Sequence, residues 1–276
     1  MKRTLPIIIV LLIAAVGGGY YWWQNRPAAE STTPTVTTNG DTSPIPPAAE
    51  PAIKYPIEAI ASDEEAPPPA PEKAEESIAT ALVDLLGQES VAAFLRTGNL
   101  VQRVTATVDN LDRSFASPRL WPVQPISGRF TIEGTGEETY IAAQNSARYT
   151  PFVEFVDSID TARAAALYAR LYPLFQNMYA ALGFPGKYFN DRVIAVIDHL
   201  LATPEIEGRI AVKLIEVAGE DKPLRPWVNY RYVDPNLEAL SSGQKIMLRV
   251  GKDHRKRLKS KLAEIRRYLT GGGARL

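Results

Sequence analysis

The feature that most constrains this chain is an uncharged, apolar segment near its start, residues 5–23 (LPIIIVLLIAAVGGGYYWW). A helix of this length reaches about 28 Å, close to the hydrocarbon thickness of a bilayer. Lys2 and Arg3 precede the segment, and the aromatic residues 20–23 end it. Because basic residues favour the cytoplasmic side and aromatic rings favour the headgroup region, the sequence predicts one transmembrane helix. Residues 1–4 are then a cytoplasmic head, and the chain beyond residue 23 lies outside.

A cleaved signal peptide is the alternative interpretation of this segment. Lys2 and Arg3 are typical of the basic region of such a peptide, and Ala15–Gly17 is small enough for a cleavage site. Four consecutive aromatic residues are an odd start for a mature secreted chain, which favours the uncleaved anchor. A helix buried in a soluble domain is the third interpretation, but no polar residue marks an outward face.

Residues 24–76 differ in composition from the rest of the chain. They hold eleven of its 22 prolines, and ten acidic against three basic residues give them a net charge of −7. A segment with so little aliphatic pattern cannot bury enough apolar surface to offset its conformational entropy. The sequence therefore predicts a disordered acidic spacer that acts as a tether. A proline-rich docking segment is the alternative role, although no P-x-x-P set with flanking basic residues stands out.

Residues 77–270 are predicted to form one globular domain, followed by a flexible tail at 271–276. Apolar residues recur at helical spacing, so the expected fold class is α+β, mainly helical with a small antiparallel β-hairpin. Alternating runs at 209–217 and 227–233 predict the hairpin. The expected helices are 78–86, 90–96, 100–108, 145–159, 161–182 after a cap at Asp160, a helix capped by Asn190 or Asp191, one opened by Asp234 and Pro235, and 252–269.

The absence of cysteine and the presence of two histidines narrow the chemistry open to this chain. A chain without cysteine has no disulfide, no cysteine nucleophile, no Cys-ligated zinc and no iron–sulfur cluster. We therefore expect no metal and no cofactor. Asp198 and His199 are neighbours on a predicted helix and point about 100° apart, so they do not form a catalytic relay with each other.

Two further patterns are catalytic alternatives. Ser242–Lys245 has the S-x-x-K spacing in which a lysine activates a serine, but the companion S-D-N and K-T-G elements are absent. A glycosidase needs two acids, and the chain offers Glu154, Asp157, Asp160 and Asp191. A pair of acids can be named in any domain of this size, so enzymatic activity is not expected.

The first candidate surface is the loop at 183–192 (GFPGKYFNDR). Aromatic side chains on a rigid loop form a contact surface for a sugar or a peptide, and polar neighbours supply hydrogen bonds. The alternative is that the aromatic residues fill the core beneath a tight turn. The predicted ligand-binding residues are Tyr188, Phe189, Asn190, Asp191, Arg192 and Trp121.

The second candidate surface is the basic C-terminal region, because residues 244–276 carry eleven basic and two acidic residues. A basic helix attracts anionic lipid headgroups or acidic envelope polymers. A helix with a solvated basic face is the alternative, and the acidic spacer could also fold back onto it. Nucleic acid is not expected as a partner, because the predicted topology places this helix outside the cytoplasm. The predicted anionic-surface residues are Arg255, Lys256, Lys259 and Arg266.

Six segments of the chain together form a recognisable pattern. They are LVQRVTATVDNL (100–111), RLWPVQPISGRF (119–130), NSARYTPF (145–152), ALYARLYPLF (166–175), GFPGKYFNDRVIAVIDHLLATP (183–204) and LSSGQKIMLR (240–249). This pattern resembles a bacterial family of single-span envelope proteins, catalogued as a domain of unknown function (number three-thousand-fourteen). The resemblance covers about 77–269, and GKYFNDR and RLWP are its most specific strings. Asp112 and Ser127 stand at turns where we expect proline in the family. The resemblance implies the same layout and no particular activity.

These observations together predict a non-enzymatic binding or scaffolding module of the bacterial cell envelope. It would be a single-pass protein of the inner (cytoplasmic) membrane, in contact with the bilayer through residues 5–23, with its C-terminal domain in the periplasm. Its expected partner is an envelope protein or polymer. An envelope glycan or peptide hydrolase with paired carboxylates is one alternative. A domain that docks on anionic lipid through the basic helix is the other.

Overall fold

The computed structural model describes residues 52–60, 74–215 and 229–272. Among these residues, no helix is both long enough and apolar enough to cross a bilayer. The segment predicted to span the membrane, 5–23, lies outside the described residues. Within the described ranges the α-helices are α1 (Ala74–Leu86), α2 (Gln88–Phe94), α3 (Leu100–Leu111), α4 (Thr150–Ser158), α5 (Thr161–Ala181), α6 (Phe189–Leu201), α7 (Pro235–Glu238), α8 (Ser242–Arg249) and α9 (Lys252–Leu269). The strands are β1 (Ile132–Glu133), β2 (Tyr140–Ile141), β3 (Val212–Leu214) and β4 (Tyr230–Tyr232).

Helix α6 lies at the centre of the helical part. It packs against α3, α5, α8 and α9, and its buried side chains enter three apolar clusters. Phe189 joins the cluster built on α5, Ile194 and Ile197 join α5 and α9, and Val196 and Leu200 join α8. A helix that is apolar on most of its circumference must be covered on most sides, which is why the others surround it.

The four strands found in the described ranges form two antiparallel pairs beside the helices. Strand β1 pairs with β2 and β3 with β4, and a bridge between Tyr140 and Ala211 connects the two pairs. Val212 and Tyr232 on the second pair are buried against Leu248 of α8. The predicted mainly helical fold with a small antiparallel hairpin is therefore confirmed. The strands are shorter than the alternating runs predicted for them.

Several helix ends agree with the capping residues in the sequence. The Asp160 carboxylate accepts the Arg163 backbone N–H at 3.0 Å and begins α5, and Asp234 caps α7 in the same way. The last helix has its predicted bounds. The expected helix at 145–159 is instead a 3₁₀ helix, Ala143–Tyr149, followed by α4. Pro151 explains this break, because it lacks the N–H that would continue the first helix into the second.

Residues 52–60 were predicted to belong to the disordered spacer, and the structure corrects this. They pack against the folded domain, with a short 3₁₀ helix at Ile57–Ala59, and Ile60 is buried between α5, α6 and α9. Helix α1 also begins at Ala74, within the predicted spacer. The high proline and acid content of the whole segment concealed a short apolar pattern, which is enough to dock one stretch of it.

Candidate functional site

An open cleft of about 600 Å³ lies beside the first turn of α6. Its wall on one side is the end of α3, and on the other it is the 183–192 loop and the start of α6. Ala52, from the docked stretch 52–60, also lines it. The cleft therefore joins three parts of the chain that are far apart in sequence.

Arg192 of α6 connects the two main walls of the cleft. Its Nη1 and Nη2 donate to the two carboxylate oxygens of Asp112, at 2.7 and 2.6 Å. Its Nε donates to Asp109 Oδ1 at 3.1 Å, and Nη2 also donates to the Asp109 carbonyl at 2.6 Å. Arg113 binds the remaining carboxylate oxygen of Asp109, which is 6% exposed. Both acidic side chains are thus fully engaged by arginine, and the bidentate geometry fixes α3 relative to α6.

The pKa values of Asp112, Arg192 and Tyr179 move away from neutrality. The hydrogen bond from Arg192 holds the pKa of Asp112 below its ordinary value, although burial acts in the opposite direction. Burial lowers the pKa of Arg192, but its hydrogen bond to Asp112 and the charges of Asp112 and Asp109 outweigh this and raise it overall. Burial also raises the pKa of Tyr179, and the charge of Asp109 adds to the effect. These groups therefore keep fixed protonation states at physiological pH.

Aromatic side chains form the second component of the cleft. Tyr179 of α5 stacks on Phe184, with ring centroids 4.7 Å apart, and Tyr188 lies at the edge of the same surface. Phe184 and Tyr188 are partly exposed, whereas Phe189 is completely buried beneath them. Lys187 is exposed on the rim and lies 5.4 Å from the Phe184 ring centroid. The loop aromatics thus serve both the core and the cleft.

The structure divides the predicted ligand-binding residues into two groups. Tyr188, Asp191 and Arg192 line the cleft. Phe189 and Asn190 are both 0% exposed, so they have no ligand-facing surface. Trp121 follows a 3₁₀ helix, Pro118–Leu120, that packs on α3, and it is not among the described residues that line the cleft.

Asp109 and Asp112 are the functional residues that the sequence reasoning missed. They lie three residues apart at the end of α3, where the helix dipole disfavours negative charge. Two acids in that position signal a nearby cation, and this pattern could have identified them. The sequence offered no indication of which cation it would be, because Arg192 is about 80 residues away.

The start of α6 also holds the stretch 52–60, here called the strap. The carboxylate of Asp191 accepts the backbone N–H groups of Lys54 and Tyr55, at 2.9 and 2.7 Å. The Asn190 amide donates to the Tyr55 carbonyl at 2.9 Å and to the Leu269 carbonyl at 3.2 Å. The sequence predicted that Asn190 or Asp191 caps α6, and this prediction is wrong. Tyr188 is the N-cap residue and provides no side-chain cap, because the two polar side chains bind the strap instead.

The catalytic alternatives are not supported by the positions of their residues. Ser242 Oγ donates to the carbonyl of Asn110 at 3.1 Å, and Lys245 binds Glu238, so the S-x-x-K pair does not interact. His199 Nε2 lies 2.9 Å from Ser241 Oγ, which is already the N-cap of α8. In the described ranges, no cluster of acidic or histidine side chains could hold a metal ion.

The four acids proposed for a glycosidase do not meet in one place. Asp157 pairs with Arg257, and Asp160 caps α5. Asp191 lines the cleft, whereas Glu154, Asp157 and Asp160 are not among the described residues around it. The cleft thus contains no pair from this set.

The predicted anionic surface on α9 is largely engaged by the protein itself. Arg255 is 1% exposed and binds Glu205, so it does not lie on that surface as predicted. Lys259 binds the same carboxylate, and Arg266 pairs with Asp198. Lys256 is exposed.

A smaller cleft, of about 230 Å³, lies beside the first turn of α9. Each of its basic side chains is bound by a carboxylate or a backbone carbonyl in the described structure: Arg209, Arg249, Lys252 and Arg255.

Comparison with known proteins gives one family match for this chain. No curated protein and no solved structure matches the chain. The family described as "Protein of unknown function (DUF3014)" matches residues 100–266, a range that contains α3, the four strands, α6 and most of α9. Asp109, Asp112 and Arg192 lie inside this range, and the strap precedes it. The match confirms the resemblance seen in the sequence: the chain belongs to the DUF3014 family.

Proposed function

We propose that this protein is a non-enzymatic binding module of the bacterial cell envelope. Residues 5–23 anchor it in the inner membrane, residues 24–51 give it reach, and the folded domain binds a partner protein or polymer on the periplasmic side. The apolar segment and its flanking residues support the anchor. The cleft between α3 and α6 is the binding site.

The observation that carries the proposal is that Arg192 holds two of the cleft's acids, Asp109 and Asp112, in ion pairs. A general acid or base works best when its pKa lies near the operating pH. Here Arg192 lowers the pKa of Asp112, and Asp112 raises that of Arg192. Such shifts are typical of charged groups that stay ionised and fix the positions of the helices around them. They do not suit groups that exchange protons with a substrate.

The size and lining of the cleft also fit recognition. Its volume of about 600 Å³ lies within the range typical of ligand sites. Tyr188 and Phe184 offer aromatic surface, and the exposed Lys187 offers a cation beside it. Aromatic faces next to fixed polar groups bind an extended peptide or a sugar chain, the two polymers that an envelope domain meets.

Site-specific photo-crosslinking in living cells tests the proposal. The full chain would carry benzoylphenylalanine in place of Lys187, on the cleft rim. A matched variant would carry it in place of Lys256, which is also exposed but lies on α9 outside the cleft. We expect a discrete adduct from position 187 that position 256 does not form. Identical adduct patterns from the two positions would contradict a binding site in the cleft.

A second measurement addresses enzymatic activity directly. The full chain, solubilised in detergent, would be incubated with purified peptidoglycan. We expect no soluble fragments above those from buffer alone. Release of fragments that disappears in the Asp191→Asn variant would overturn the non-enzymatic proposal, because Asp191 is the cleft acid named in the hydrolase alternative.

A further inference from the structure

We propose that the strap, residues 52–60, is a releasable element whose docking pre-organises the cleft. Strap docking and cleft occupancy are then thermodynamically coupled, and the N-terminal part of the chain controls binding through the strap. This inference rests on the cleft being the binding site proposed above and adds its regulation.

The strap is held through its backbone. Four hydrogen bonds join its backbone to three side chains at the start of α6. Asp191 accepts the N–H groups of Lys54 and Tyr55, Asn190 donates to the Tyr55 carbonyl, and the Tyr188 hydroxyl accepts the Ile57 N–H at 2.7 Å. The strap is therefore bound in the way that a domain binds an extended peptide, with the backbone hydrogen-bonded and the alternate side chains of Tyr55 and Ile57 partly buried.

Two of the residues that hold the strap also form the cleft. Tyr188 and Asp191 line it, and so does Ala52 of the strap itself. Arg192, which bridges to α3, is the next residue after Asp191. When the strap is docked, its backbone fixes the Tyr188 hydroxyl and the Asp191 carboxylate in place. When the strap leaves, both side chains lose these partners, and Ala52 leaves the wall.

The beginning of the strap is less buried than its end. Its beginning is exposed, with Ile53 at 54% exposure, and is fixed mainly through Asp191. Its end is buried, with Ile60 at 7% exposure and Ile57 packed in the apolar core. Segments with few buried contacts open first. A displacement of the chain before residue 52 therefore acts first on the Asp191 contacts, at the edge of the cleft.

The direction of the coupling follows from pre-organisation. A site whose groups are already fixed loses less conformational entropy when it binds. The docked strap thus raises the affinity of the cleft, and by linkage a ligand in the cleft stabilises the docked strap. Couplings of this kind amount to roughly five-fold or more in affinity.

A matched pair of substitutions at Lys54 tests the coupling without substituting any side chain that lines the cleft. Lys54→Pro removes the backbone hydrogen that Asp191 accepts, whereas Lys54→Ala keeps it. The Lys54 side chain is exposed, and Lys54 is not among the described residues that line the cleft. Hydrogen exchange would be followed by mass spectrometry in the full chain in detergent, with peptides that cover 52–60, 189–193 and 252–269.

We expect exchange about ten-fold faster in 52–60 and clearly faster in 189–193 for Lys54→Pro, with 252–269 unchanged. Lys54→Ala should match the parent. In cells, the adduct yield from benzoylphenylalanine at position 187 should fall about five-fold for Lys54→Pro alone.

Unchanged exchange in 52–60 would show that Asp191 does not hold the strap, and would overturn the inference. A released strap with unchanged exchange in 189–193 and an unchanged adduct yield would also overturn it, while leaving the cleft as a binding site. If no variant forms an adduct at 187, the proposed function fails, and exchange in 189–193 still decides whether strap and cleft are coupled.

Discussion

Arg192 and Asp112 form a bidentate ion pair, at 2.6 and 2.7 Å, that joins α6 to the chain just beyond α3. The same guanidinium binds Asp109. A pair with this geometry is planar and directional, so it sets the distance between two helices as well as neutralising charge. The cleft owes its shape to this contact.

Loss of the arginine should destabilise the fold as well as the cleft. Arg192→Ala leaves the nearly buried Asp109 and the partly buried Asp112 without this partner, and we expect a loss of about 2–3 kcal/mol in the free energy of unfolding. Arg192→Lys keeps the charge but loses the paired hydrogen bonds of the guanidinium, and it should reduce the free energy of unfolding by about half as much. Arg266→Ala, which breaks an exposed pair with Asp198, is the control and should cost less than about 1 kcal/mol. Urea unfolding provides the measurement, and equal losses for Arg192→Ala and Arg266→Ala would refute the bridging role.

The same pair makes stability depend on pH in a defined direction. The folded-state pKa of Asp112 lies below its ordinary value of 3.8. The unfolded state therefore binds a proton more readily, and the stabilisation is fully present above the ordinary pKa and is lost as pH falls through the folded value. Asp112→Asn should be less stable than the parent at pH 7, and this difference should shrink in acid below pH 3.8. Urea midpoints at a series of pH values measure it, and a constant difference would contradict the assigned shift.

Gly243 on α8 should not tolerate a side chain. A Cβ at this position would lie 2.6 Å from Leu200 Cδ2 and 2.8 Å from the Leu111 carbonyl oxygen. Gly243→Ala therefore forces α8 away from α6 and α3 and should cost about 1–3 kcal/mol. Gly98→Ala meets no atom within 4 Å and serves as the control. Similar thermal unfolding midpoints for the two variants would show that α8 does not pack this closely.

The strap should contribute to stability through its buried end. Ile60→Ala removes a side chain that is 7% exposed and should cost about 2–4 kcal/mol. Ile53→Ala removes one that is 54% exposed and should change stability by less than about 0.5 kcal/mol. Urea unfolding of both variants distinguishes a docked strap from a free tether, because in a free tether neither substitution would matter.

Charge reversal on α9 should lower stability at its buried arginine and have little effect at its exposed lysine. Arg255→Glu places a carboxylate in a site that is 1% exposed and beside Glu205, so we expect a severe loss of stability. Lys256→Glu changes an exposed position and should leave the thermal midpoint nearly unchanged. Equal midpoints would mean that Arg255 is not buried against Glu205.

The sequence predicted the local structure well where one residue decides it. Asp160 caps α5, Asp234 caps α7, and α9 has its expected bounds, because a cap or an apolar stripe acts within a few residues. The cleft could be predicted only in part. Tyr188, Asp191 and Arg192 came from a single loop. The acidic partners of Arg192 at the end of α3 lie about 80 residues earlier, and no local pattern pairs them with it.

The strap shows a different limit of sequence reasoning. Composition averaged over residues 24–76 predicts disorder, as it does for proline-rich acidic segments in general. Tyr55, Ile57 and Ile60 are too few to change that average, yet their burial and the hydrogen bonds to Asp191 hold the stretch on the domain. Arg255 was misjudged for a related reason, since its burial depends on Glu205, which lies on the chain after α6.

We propose that the cleft faces the space outside the inner membrane. Because the chain has no cysteine, a single Lys187→Cys substitution gives one thiol, on the cleft rim. Spheroplasts that contain this variant would be treated with a membrane-impermeant maleimide before and after lysis. We expect full labelling of position 187 before lysis, whereas labelling that occurs only after lysis would place the cleft in the cytoplasm and rule out a periplasmic binding site.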